Sequence, residues 1–340
     1  MIVVTGGTGF LGAHLLYDLC QNHSHIRAIK RQNSDIELVR NTFAYYSKQA
    51  DALFQKIEWV EADVSDYYAL ENAFKGASQI YHAAAIVSFR EEDRKKMMEM
   101  NVQGTANVVN AALHNKIKKL CYVSSIAAIG RAENNQLANE DTPWKESDKS
   151  SPYSHSKYKA ELEVWRGMAE GLPAVIVNPS IIIGPGKWNS GSASMFLTFW
   201  KGLKFYTPGI NGFVYVRDVS KAMIMLMEQS ISGERFILNA ENIGYQKLFN
   251  EMAIKLGRPK PLIPVKPWMS ALSWRLLKLL SFFTRKDPLI TKATARSSMQ
   301  ICRYSNQKIR NTLGFEFVGI EEMVALTSKQ FLKEHKIIVK

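Results

Sequence analysis

The sequence predicts an α/β fold, in which a doubly wound parallel sheet is followed by a smaller C-terminal α+β region. In the first half of the 340 residues, short apolar and β-branched runs alternate with helical patterns. Such alternation is typical of a parallel sheet covered by helices on both faces. In the second half, the turns at Gly184–Gly186 and Thr207–Gly209 break the alternation, and mostly helical patterns follow. A chain of this length forms one large domain or two intimate ones.

The predicted elements follow one another along the chain with short connections. The predicted strands of the first half are Ile2–Thr5, Ile26–Ile29, Ile57–Glu61, Gln79–His82, Leu120–Ser124 and Ala174–Asn178. The long predicted helices and the later strands are Glu91–Asn115, Tyr153–Glu170, Phe213–Arg217 and Arg235–Leu238.

A glycine-rich loop joins the first strand to the first helix. Thr5-Gly-Gly-Thr-Gly-Phe-Leu-Gly12 follows the apolar run directly, and the next stretch, His14–Cys20, has helical spacing of apolar residues. Strand, glycine turn and helix together aim backbone N–H groups at a pyrophosphate. The spacing differs from the commoner Gly-x-Gly-x-x-Gly fingerprint. The loop predicts dinucleotide binding on a Rossmann sheet.

The domain division follows from this loop. We expect residues 1–177 to form the nucleotide-binding domain, with 213–240 returning to it. Residues 178–340 are then a mostly helical region that binds the substrate.

Tyr153 and Lys157 are four residues apart in a predicted helix and therefore lie on the same face. A neighbouring ammonium favours the phenolate, so the pair is expected to lower the pKa of the tyrosine. Such a pair can exchange a proton with a carbonyl or alcohol oxygen. Tyr-x-x-x-Lys is common on solvated helices, and only the glycine loop makes the functional interpretation the better one.

These motifs together resemble the extended short-chain dehydrogenase/reductase superfamily, also called the NAD-dependent epimerase/dehydratase family. Within it the chain looks most like the branch of dihydroflavonol reductases and 3β-hydroxysteroid dehydrogenases. The resemblance covers almost the whole chain. It is carried in order by Thr5–Gly12, Ala62-Asp63-Val64, His82-Ala-Ala-Ala85, Asn101-Val-x-Gly-Thr105, Tyr122-Val-Ser-Ser125, Tyr153 with Lys157, and Asn178-Pro179.

The resemblance implies a role for each motif. The catalytic residues would be Ser125, which holds the substrate oxygen, Tyr153, which exchanges the proton, and Lys157, which binds the nicotinamide ribose and lowers the pKa of the tyrosine. Ser124 and Asn178 would line the substrate side. The residues implied to bind the cofactor are Gly6, Thr8, Gly9, Phe10, Leu11, Gly12, Lys30, Arg31, Asp63, Val64, Ala83, Ala84, Ala85, Asn101, Tyr153, Lys157, Pro179 and Ile182. Among these, Asn101 would support the lysine through a water, and Asp63 would accept a hydrogen bond from the adenine amine.

The end of the second strand selects the cofactor, because an acidic residue there binds the 2′-hydroxyl of NAD whereas a basic one accommodates the 2′-phosphate of NADP. No Asp or Glu occurs between Asp18 and Asp35, and the strand ends Ile29-Lys30-Arg31. Arginine can pair with a phosphate through two parallel hydrogen bonds. NADP(H) is therefore favoured, with NAD(H) as the alternative.

Three functions remain open. Ile126 and Ala127 stand where sugar-nucleotide 4,6-dehydratases carry an Asp-Glu pair, and Ser150–Tyr153 does not match the longer signature of cinnamoyl-CoA reductases. The favoured function is an NADP-dependent oxidoreductase that interconverts a ketone and a secondary alcohol on an apolar or cyclic molecule. The alternatives are an NAD-dependent nucleotide-sugar epimerase and a non-catalytic nucleotide-sensing protein.

The charge and the cysteines bear on the binding partners and the cellular compartment of the protein. The net charge is +13, and residues 255–340 hold 17 Lys or Arg against 5 Asp or Glu, a balance of +12. No nucleic-acid-binding motif accompanies this charge, so nucleic acid is not expected as a partner. Cys20, Cys121 and Cys302 have no metal-binding spacing, and they suit a reducing cytoplasm. We expect no metal, no signal peptide and no stretch of about 20 apolar residues that could span a membrane.

Two further expectations concern surfaces. Trp268–Phe283 reads as an apolar helix near Arg275, Lys278, Arg285 and Lys286. Packing as core or lid is favoured there over peripheral contact with a membrane. The two long helices, 91–115 and 153–170, resemble those that relatives pair across a two-fold axis, which implies a homodimer.

Overall fold

The computed structural model describes residues 1–132, 136–146, 150–284 and 291–335, and within 277–284 it describes the backbone alone. Its strands are β1 (Ile2–Thr5), β2 (Ile26–Lys30), β3 (Ile57–Glu61), β4 (Gln79–His82), β5 (Lys119–Val123), β6 (Ala174–Pro179), β7 (Ile181–Ile183), β8 (Phe205–Tyr206), β9 (Ile210–Tyr215), β10 (Glu234–Leu238), β11 (Glu241–Gly244) and β12 (Ile263–Pro264).

The α-helices fill most of the connections between these strands. They are α1 (Phe10–Asn22), α2 (Glu37–Ala44), α3 (Ala50–Phe54), α4 (Tyr67–Ala73), α5 (Arg94–Met97), α6 (Gly104–His114), α7 (Pro152–Ala169), α8 (Ser194–Trp200), α9 (Val216–Glu228), α10 (Tyr245–Leu256), α11 (Pro267–Thr284), α12 (Lys292–Ser297), α13 (Gln307–Leu313) and α14 (Ile320–Glu334). Short 3₁₀ helices lie at Glu91–Asp93 and Ile126–Ala128, and a π-helical segment lies at Met98–Gln103.

The largest sheet of the described residues has seven parallel strands in the order β10-β6-β5-β4-β1-β2-β3. The strand order reverses between β1 and β4, and ligands of such sheets bind at that switch, outside the carboxyl ends of the strands. One apolar cluster lies on the face covered by α1 and α9, and a second lies on the face covered by α4, α6 and α7. The predicted doubly wound α/β fold is therefore the one observed.

The smaller region is built from two short sheets and the later helices. One sheet has the order β11-β9-β7, and the other pairs β12 with β8. Within the described parts of the chain, no helix is both long enough and apolar enough to cross a membrane.

Two predicted elements differ from the observed ones. The stretch predicted as one helix over 91–115 is helical from Glu91 to His114, but it passes through a 3₁₀ turn, a short α-helix, the π-segment and α6. Within the π-segment, the side chain of Asn101 is bonded to the backbone of Ile86. The strand predicted to reach Arg217 ends at Tyr215, and α9 begins at Val216. An apolar run of this length does not by itself separate strand from helix.

Candidate active site

The carboxyl ends of β1, β4, β5 and β6 lie side by side, and they carry most of the residues that the sequence singles out. The register places Thr5 beside His82, and His82 beside Tyr122. Parallel strands all end at the same edge, so motifs far apart in the sequence meet here.

The glycine loop packs tightly against the end of β4. Gly6 has a φ of +72°, and a Cβ there would lie 2.5 Å from the backbone nitrogen of Ala84. A Cβ on Gly12 would lie 2.1 Å from the carbonyl oxygen of Gly6. Helix α1 starts after Gly9 with no side-chain cap on its first N–H groups. An uncapped helix end behind a glycine turn fits a pyrophosphate, because those N–H groups are free to donate to it.

The other loop residues predicted to touch the cofactor have different surroundings. Thr8 is half-buried, whereas Leu11 belongs to the core. The ring of Phe10 packs against the turn formed by Gly184 and Gly186, so that a Cβ on Gly186 would lie 2.7 Å from the ring. Phe10 therefore joins the glycine loop to the segment that follows β7.

Lys30 ends β2 and Arg31 follows it directly, so both basic residues lie where the sequence predicts them. Arg31 is exposed, and its backbone is held by a turn in which its N–H donates to Ser34 Oγ at 3.1 Å. Lys30 is partly covered, and its Nζ lies 3.9 Å from a carboxylate oxygen of Glu61. The guanidinium of Arg31 is thus the better placed of the two cations for a phosphate.

The adenine end of the site is formed after β3. Asp63 Oδ1 accepts hydrogen bonds from the backbone and the hydroxyl of Ser65. Val64 is buried, and its side chain lies where a Cβ on Gly104 would be only 2.7 Å away. The second carboxylate oxygen of Asp63 is left for an outside donor such as an adenine amine.

Small and apolar residues border the nicotinamide end. Ala83 and Ala84 are half-buried, and Ala85 is exposed. Pro179 at the end of β6 is buried, and Ile182 on β7 is half-buried. The structure therefore brings all these predicted residues to the same edge of the sheet.

Ser125 and Tyr153 form a hydroxyl pair. The hydroxyl of Ser125 caps the 3₁₀ turn by accepting from the N–H of Ala127 at 3.1 Å, and it lies near enough to the phenol of Tyr153 to lower the pKa of that phenol. Tyr153 lies in the first turn of α7, which starts at Pro152 with Ser151 as its cap. Two adjacent hydroxyls of this kind can hold one substrate oxygen between them.

The ammonium of Lys157 is buried and bound to the protein. Its Nζ donates to Tyr122 Oη at 2.9 Å and to the carbonyl of Val123 at 2.7 Å. Burial lowers the pKa of Lys157 to about 7, although the nearby carboxylate of Glu161 opposes that shift. Lysine is thus close to half-protonated at neutral pH.

The pKa of Tyr153 corrects one expectation. Burial raises the pKa of Tyr153, whereas the nearby hydroxyl of Ser125 lowers it. The predicted lowering by Lys157 is not the dominant effect, because the Lys157 ammonium is directed to Tyr122 and Val123. Tyr153 is therefore a protonated phenol at neutral pH.

Buried polar groups extend from Lys157 into the protein. The hydroxyl of Thr105 lies near the Tyr122 phenol, whose pKa it lowers, and it donates to the backbone carbonyl of Asn101 at 2.6 Å. A threonine hydroxyl has one donor and two acceptor positions. Since its donor is used on Asn101, Thr105 accepts from its other hydrogen-bonded partner, the ring of His82.

The same hydroxyl fixes the tautomer of His82. His82 Nε2 lies 3.0 Å from Thr105 Oγ1, and Nδ1 lies 2.7 Å from Thr5 Oγ1. Because Thr105 accepts, Nε2 carries the proton, and Nδ1 accepts from the hydroxyl of Thr5. Burial, with a smaller contribution from Lys157, lowers the pKa of His82 to about 3, so the ring is neutral. These buried groups extend from the strand before the glycine loop to the lysine.

Asn101 lies in the π-segment and is almost fully buried. Its side chain accepts from the N–H of Ile86 at 2.7 Å, and it donates to the carbonyl of Ile86 and to Ser156 Oγ. Its backbone carbonyl accepts from Thr105, whose hydroxyl lies near the Tyr122 phenol that accepts from the lysine.

Ser124 and Asn178, predicted to contact substrate, lie behind the site instead. The hydroxyl of Ser124 donates to Glu161 Oε2 at 2.6 Å, and the amide of Asn178 donates to the same oxygen at 2.8 Å and to the carbonyl of Ser125. Both side chains are buried. The other carboxylate oxygen of Glu161 pairs with Arg235 at 2.8 Å. Asn178 thereby holds the backbone of Ser125, and Glu161 lies one helical turn after Lys157 on α7.

The sequence motifs therefore did not reveal Glu161 and Arg235, and they assigned no role to the side chains of Thr105 and Tyr122. A signal existed for Glu161, because it follows Lys157 by four residues and so lies on the same helix face. A signal existed for the two serines as well. Successive residues at the end of a strand point to opposite sides, so only one of Ser124 and Ser125 can face the site.

Comparisons with known proteins identify the family of the chain. A sequence model of the NAD dependent epimerase/dehydratase family matches residues 2–240. The protein named "Putative dihydroflavonol 4-reductase" in Synechocystis sp. is 30% identical over 332 residues, which cover 95% of this chain and 92% of the relative. Sterol demethylase protein B of Methylococcus capsulatus is 28% identical over 289 residues, which cover 84% of this chain and 81% of the relative.

Solved structures show the same fold. The crystal structure of gox2253 has a TM-score of 0.80 and 29% identity, and the match covers 98% of both chains. The UDP-glucose 4-epimerase of Thermotoga maritima has a TM-score of 0.76 over 98% of this chain and 99% of that one. Its identity is 20%, so this second likeness concerns the fold alone.

Proposed function

We propose that this chain, which belongs to the NAD dependent epimerase/dehydratase family, is an NADP(H)-dependent oxidoreductase that interconverts a ketone and a secondary alcohol on an apolar or cyclic small molecule. An NAD(P)-dependent oxidoreductase acting on CH–OH or C=O groups is what the family and the relatives support. The observation that carries the finer proposal is the Ser125–Tyr153 hydroxyl pair one helical turn from the Lys157 ammonium.

The chemistry assigned to this chain's residues is proton transfer and alignment. Bound nicotinamide supplies or accepts the hydride. The hydroxyls of Ser125 and Tyr153 hold the carbonyl oxygen, and Tyr153 gives its proton to that oxygen as the alcohol forms. The raised pKa of Tyr153 favours the protonated phenol that this step requires. Lys157 orients the ribose and stabilises the tyrosinate that remains.

The residues of the cofactor groove fit a dinucleotide. The pyrophosphate would lie on the uncapped start of α1, at the turn whose close backbone packing leaves no room for a Cβ at Gly6 or Gly12. Arg31 would take the 2′-phosphate, and Asp63 the adenine amine. The dehydratase alternative lacks its acid and base, since Ile126 and Ala127 hold those positions.

Cofactor choice can be measured by calorimetric titration of NADPH and NADH. We expect NADPH to bind at least about tenfold tighter, a difference of about 1.4 kcal/mol, and Arg31→Asp to reverse the order. Arg310→Asp, at an exposed arginine of α13, is the matched control and should leave the order unchanged. Equal affinities in the unmodified protein would contradict the NADP(H) assignment.

Activity can be measured with a panel of ketones and secondary alcohols by following nicotinamide absorbance, with Tyr153→Phe as the inactive control. Turnover that this variant loses supports the oxidoreductase. Protein that purifies with tightly held NAD and interconverts nucleotide sugars would support the epimerase instead. Turnover that survives in Tyr153→Phe would remove the proposed proton donor.

We propose, finally, that the enzyme is a cytoplasmic homodimer joined through α6 and α7. Two of its three cysteines are buried free thiols, which suits a reducing compartment. Light scattering at micromolar concentration should give twice the mass of the 38.5 kDa chain. A monomer mass would contradict the dimer without touching the assigned chemistry.

A further inference from the structure

One face of helix α11 exposes bulky apolar side chains, although packing as core or lid is the favoured expectation for it. Trp268, Leu272 and Leu276 are 64%, 50% and 56% exposed. Their spacing of four residues places them on one face of the helix. The opposite side is the packed one, since Met269 and Ser273 are half-buried and Ser270 Oγ donates to the carbonyl of Ala295 in α12.

A second apolar group lies on the strand pair that leads into this helix. Ile263 pairs in register with Phe205, and both side chains are exposed, as is Leu262. Ile263 precedes Trp268 by five residues, which span less than about 18 Å of chain. The two groups are therefore neighbours along the chain, and we call them together the apolar stripe: Phe205, Leu262, Ile263, Trp268, Leu272 and Leu276.

The charge around the apolar stripe is of one sign. No Asp or Glu occurs in residues 171–217 or 252–286, the two stretches that build it. The exposed cations of the same stretches are Lys187, Lys201, Lys204, Arg258, Lys260, Lys266 and Arg275. Lys278, Arg285 and Lys286 lie outside the residues whose side chains are described.

We propose that the apolar stripe is a docking surface for an anionic phospholipid bilayer, on which the enzyme lies without crossing it. Exposed bulky apolar residues with flanking Lys and Arg are the features of an interfacial helix. Each cation near an anionic surface strengthens binding by about fivefold. This inference is independent of the proposed reaction.

A second copy of this chain fits the stripe less well. A two-fold interface places the same patch on both sides, so the exposed cations would face one another without carboxylates between them. A bilayer supplies what the patch lacks, an apolar layer covered by negative charge.

The test is sedimentation of the full-length protein with vesicles of phosphatidylcholine and phosphatidylglycerol, at low and high salt, beside vesicles of phosphatidylcholine alone. We expect binding to the anionic vesicles that high salt weakens. The double variant Leu272→Ser/Leu276→Ser should lose it, and Lys260→Glu/Lys266→Glu should weaken it by at least about tenfold.

Matched controls are available on the nucleotide-binding domain. Tyr68→Ser removes an exposed aromatic residue of α4, and Lys95→Glu/Lys96→Glu reverses two exposed cations of α5. Both variants should bind vesicles as the unmodified protein does. A second readout is quenching of tryptophan fluorescence by lipids brominated on their acyl chains, which Trp268→Phe should reduce.

Three results would overturn the proposal. They are no binding to the anionic vesicles at low salt, binding that the leucine variant leaves unchanged, and a concentration-dependent dimer that Leu272→Ser/Leu276→Ser converts to monomer without any vesicle binding. The last result would assign the stripe to a second copy of the chain.

Discussion

Removing the hydroxyl of Tyr122 should shift the pH range in which the enzyme works. Tyr122→Phe deletes the acceptor that lies 2.9 Å from Lys157 Nζ and keeps the buried ring. A hydrogen bond to a charged group contributes about 1.5–3 kcal/mol, and about 1.4 kcal/mol corresponds to one pKa unit. The charged form of Lys157 is the one that loses the bond, so its pKa falls by about one to two units.

The pKa of Lys157 in the unmodified protein determines how much ammonium the variant loses at neutral pH. From a pKa of about 7, the lysine of the variant would titrate near about 5 to 6. The ammonium population at pH 7 then drops from about half to between about one in ten and one in a hundred. The part of NADPH affinity and turnover that depends on the ammonium is lost as pH rises through this pKa. The alkaline limb of each pH profile therefore moves to lower pH.

The assay is NADPH affinity as a function of pH, because it needs no knowledge of the substrate. Turnover on any substrate found by screening gives a second profile. Tyr81→Phe is the matched control, since Tyr81 is a buried tyrosine on the neighbouring strand β4 that packs in the other apolar cluster. Its midpoint should stay that of the unmodified protein.

A purely structural role for Tyr122 makes a different prediction. Thermal stability would fall by the value of a hydrogen bond, about 1 kcal/mol, while the midpoint of the pH profile stayed in place. That result would refute the argument that Tyr122 sets the charge of Lys157.

Three further predictions concern the site and its support. Tyr153→Phe should cut turnover at least about a hundredfold and leave nucleotide affinity within a few-fold, because it removes a proton donor; titration beside steady-state kinetics checks this, and retained activity would require another acid. Gly6→Ala should both weaken nucleotide binding and lower the melting temperature, since its Cβ would meet the backbone of Ala84 at 2.5 Å and its φ is +72°. An unchanged affinity would contradict the tight packing of the loop. Glu161→Gln should reduce the free energy of unfolding by about 3–5 kcal/mol, because it leaves Arg235 without its carboxylate. Denaturation of the double variant Glu161→Gln/Arg235→Gln should show part of that loss recovered, and additive losses would mean that the pair is not coupled.

The fold could be predicted from the sequence because its signals are local. The apolar runs before Gly6 and His82 predict strands, and the glycine loop before α1 predicts a tight turn that aims backbone N–H groups at a pyrophosphate. The arrangement of motifs at one edge then follows from the parallel sheet. What the sequence could not give was the partner of each hydroxyl. Ser124 and Ser125 are adjacent and chemically identical, yet one is bonded to Glu161 and the other lies beside Tyr153.

The same limit applies to the charges of the site. A lysine four residues after a tyrosine suggests a direct electrostatic effect, but the effect depends on where the ammonium is held. Here Tyr122 and Val123 hold it, and burial decides the pKa values of both Lys157 and Tyr153. Burial and side-chain direction come from the whole packed chain, so no short motif contains them.

The π-segment at Met98–Gln103 has a consequence for how this sequence can vary. A π-turn holds one residue more than the α-turn it replaces, so it acts as an insertion that the helix has absorbed. Deleting one residue there would restore a regular α-helix and leave the residues on either side in the same rotational phase, because the turn already absorbs the extra residue. Met97 would then stay in the core, whereas Asn101 would lose its contact with Ile86. A single-residue deletion in this stretch should therefore displace Asn101 more than it disturbs the packing of the flanking helices.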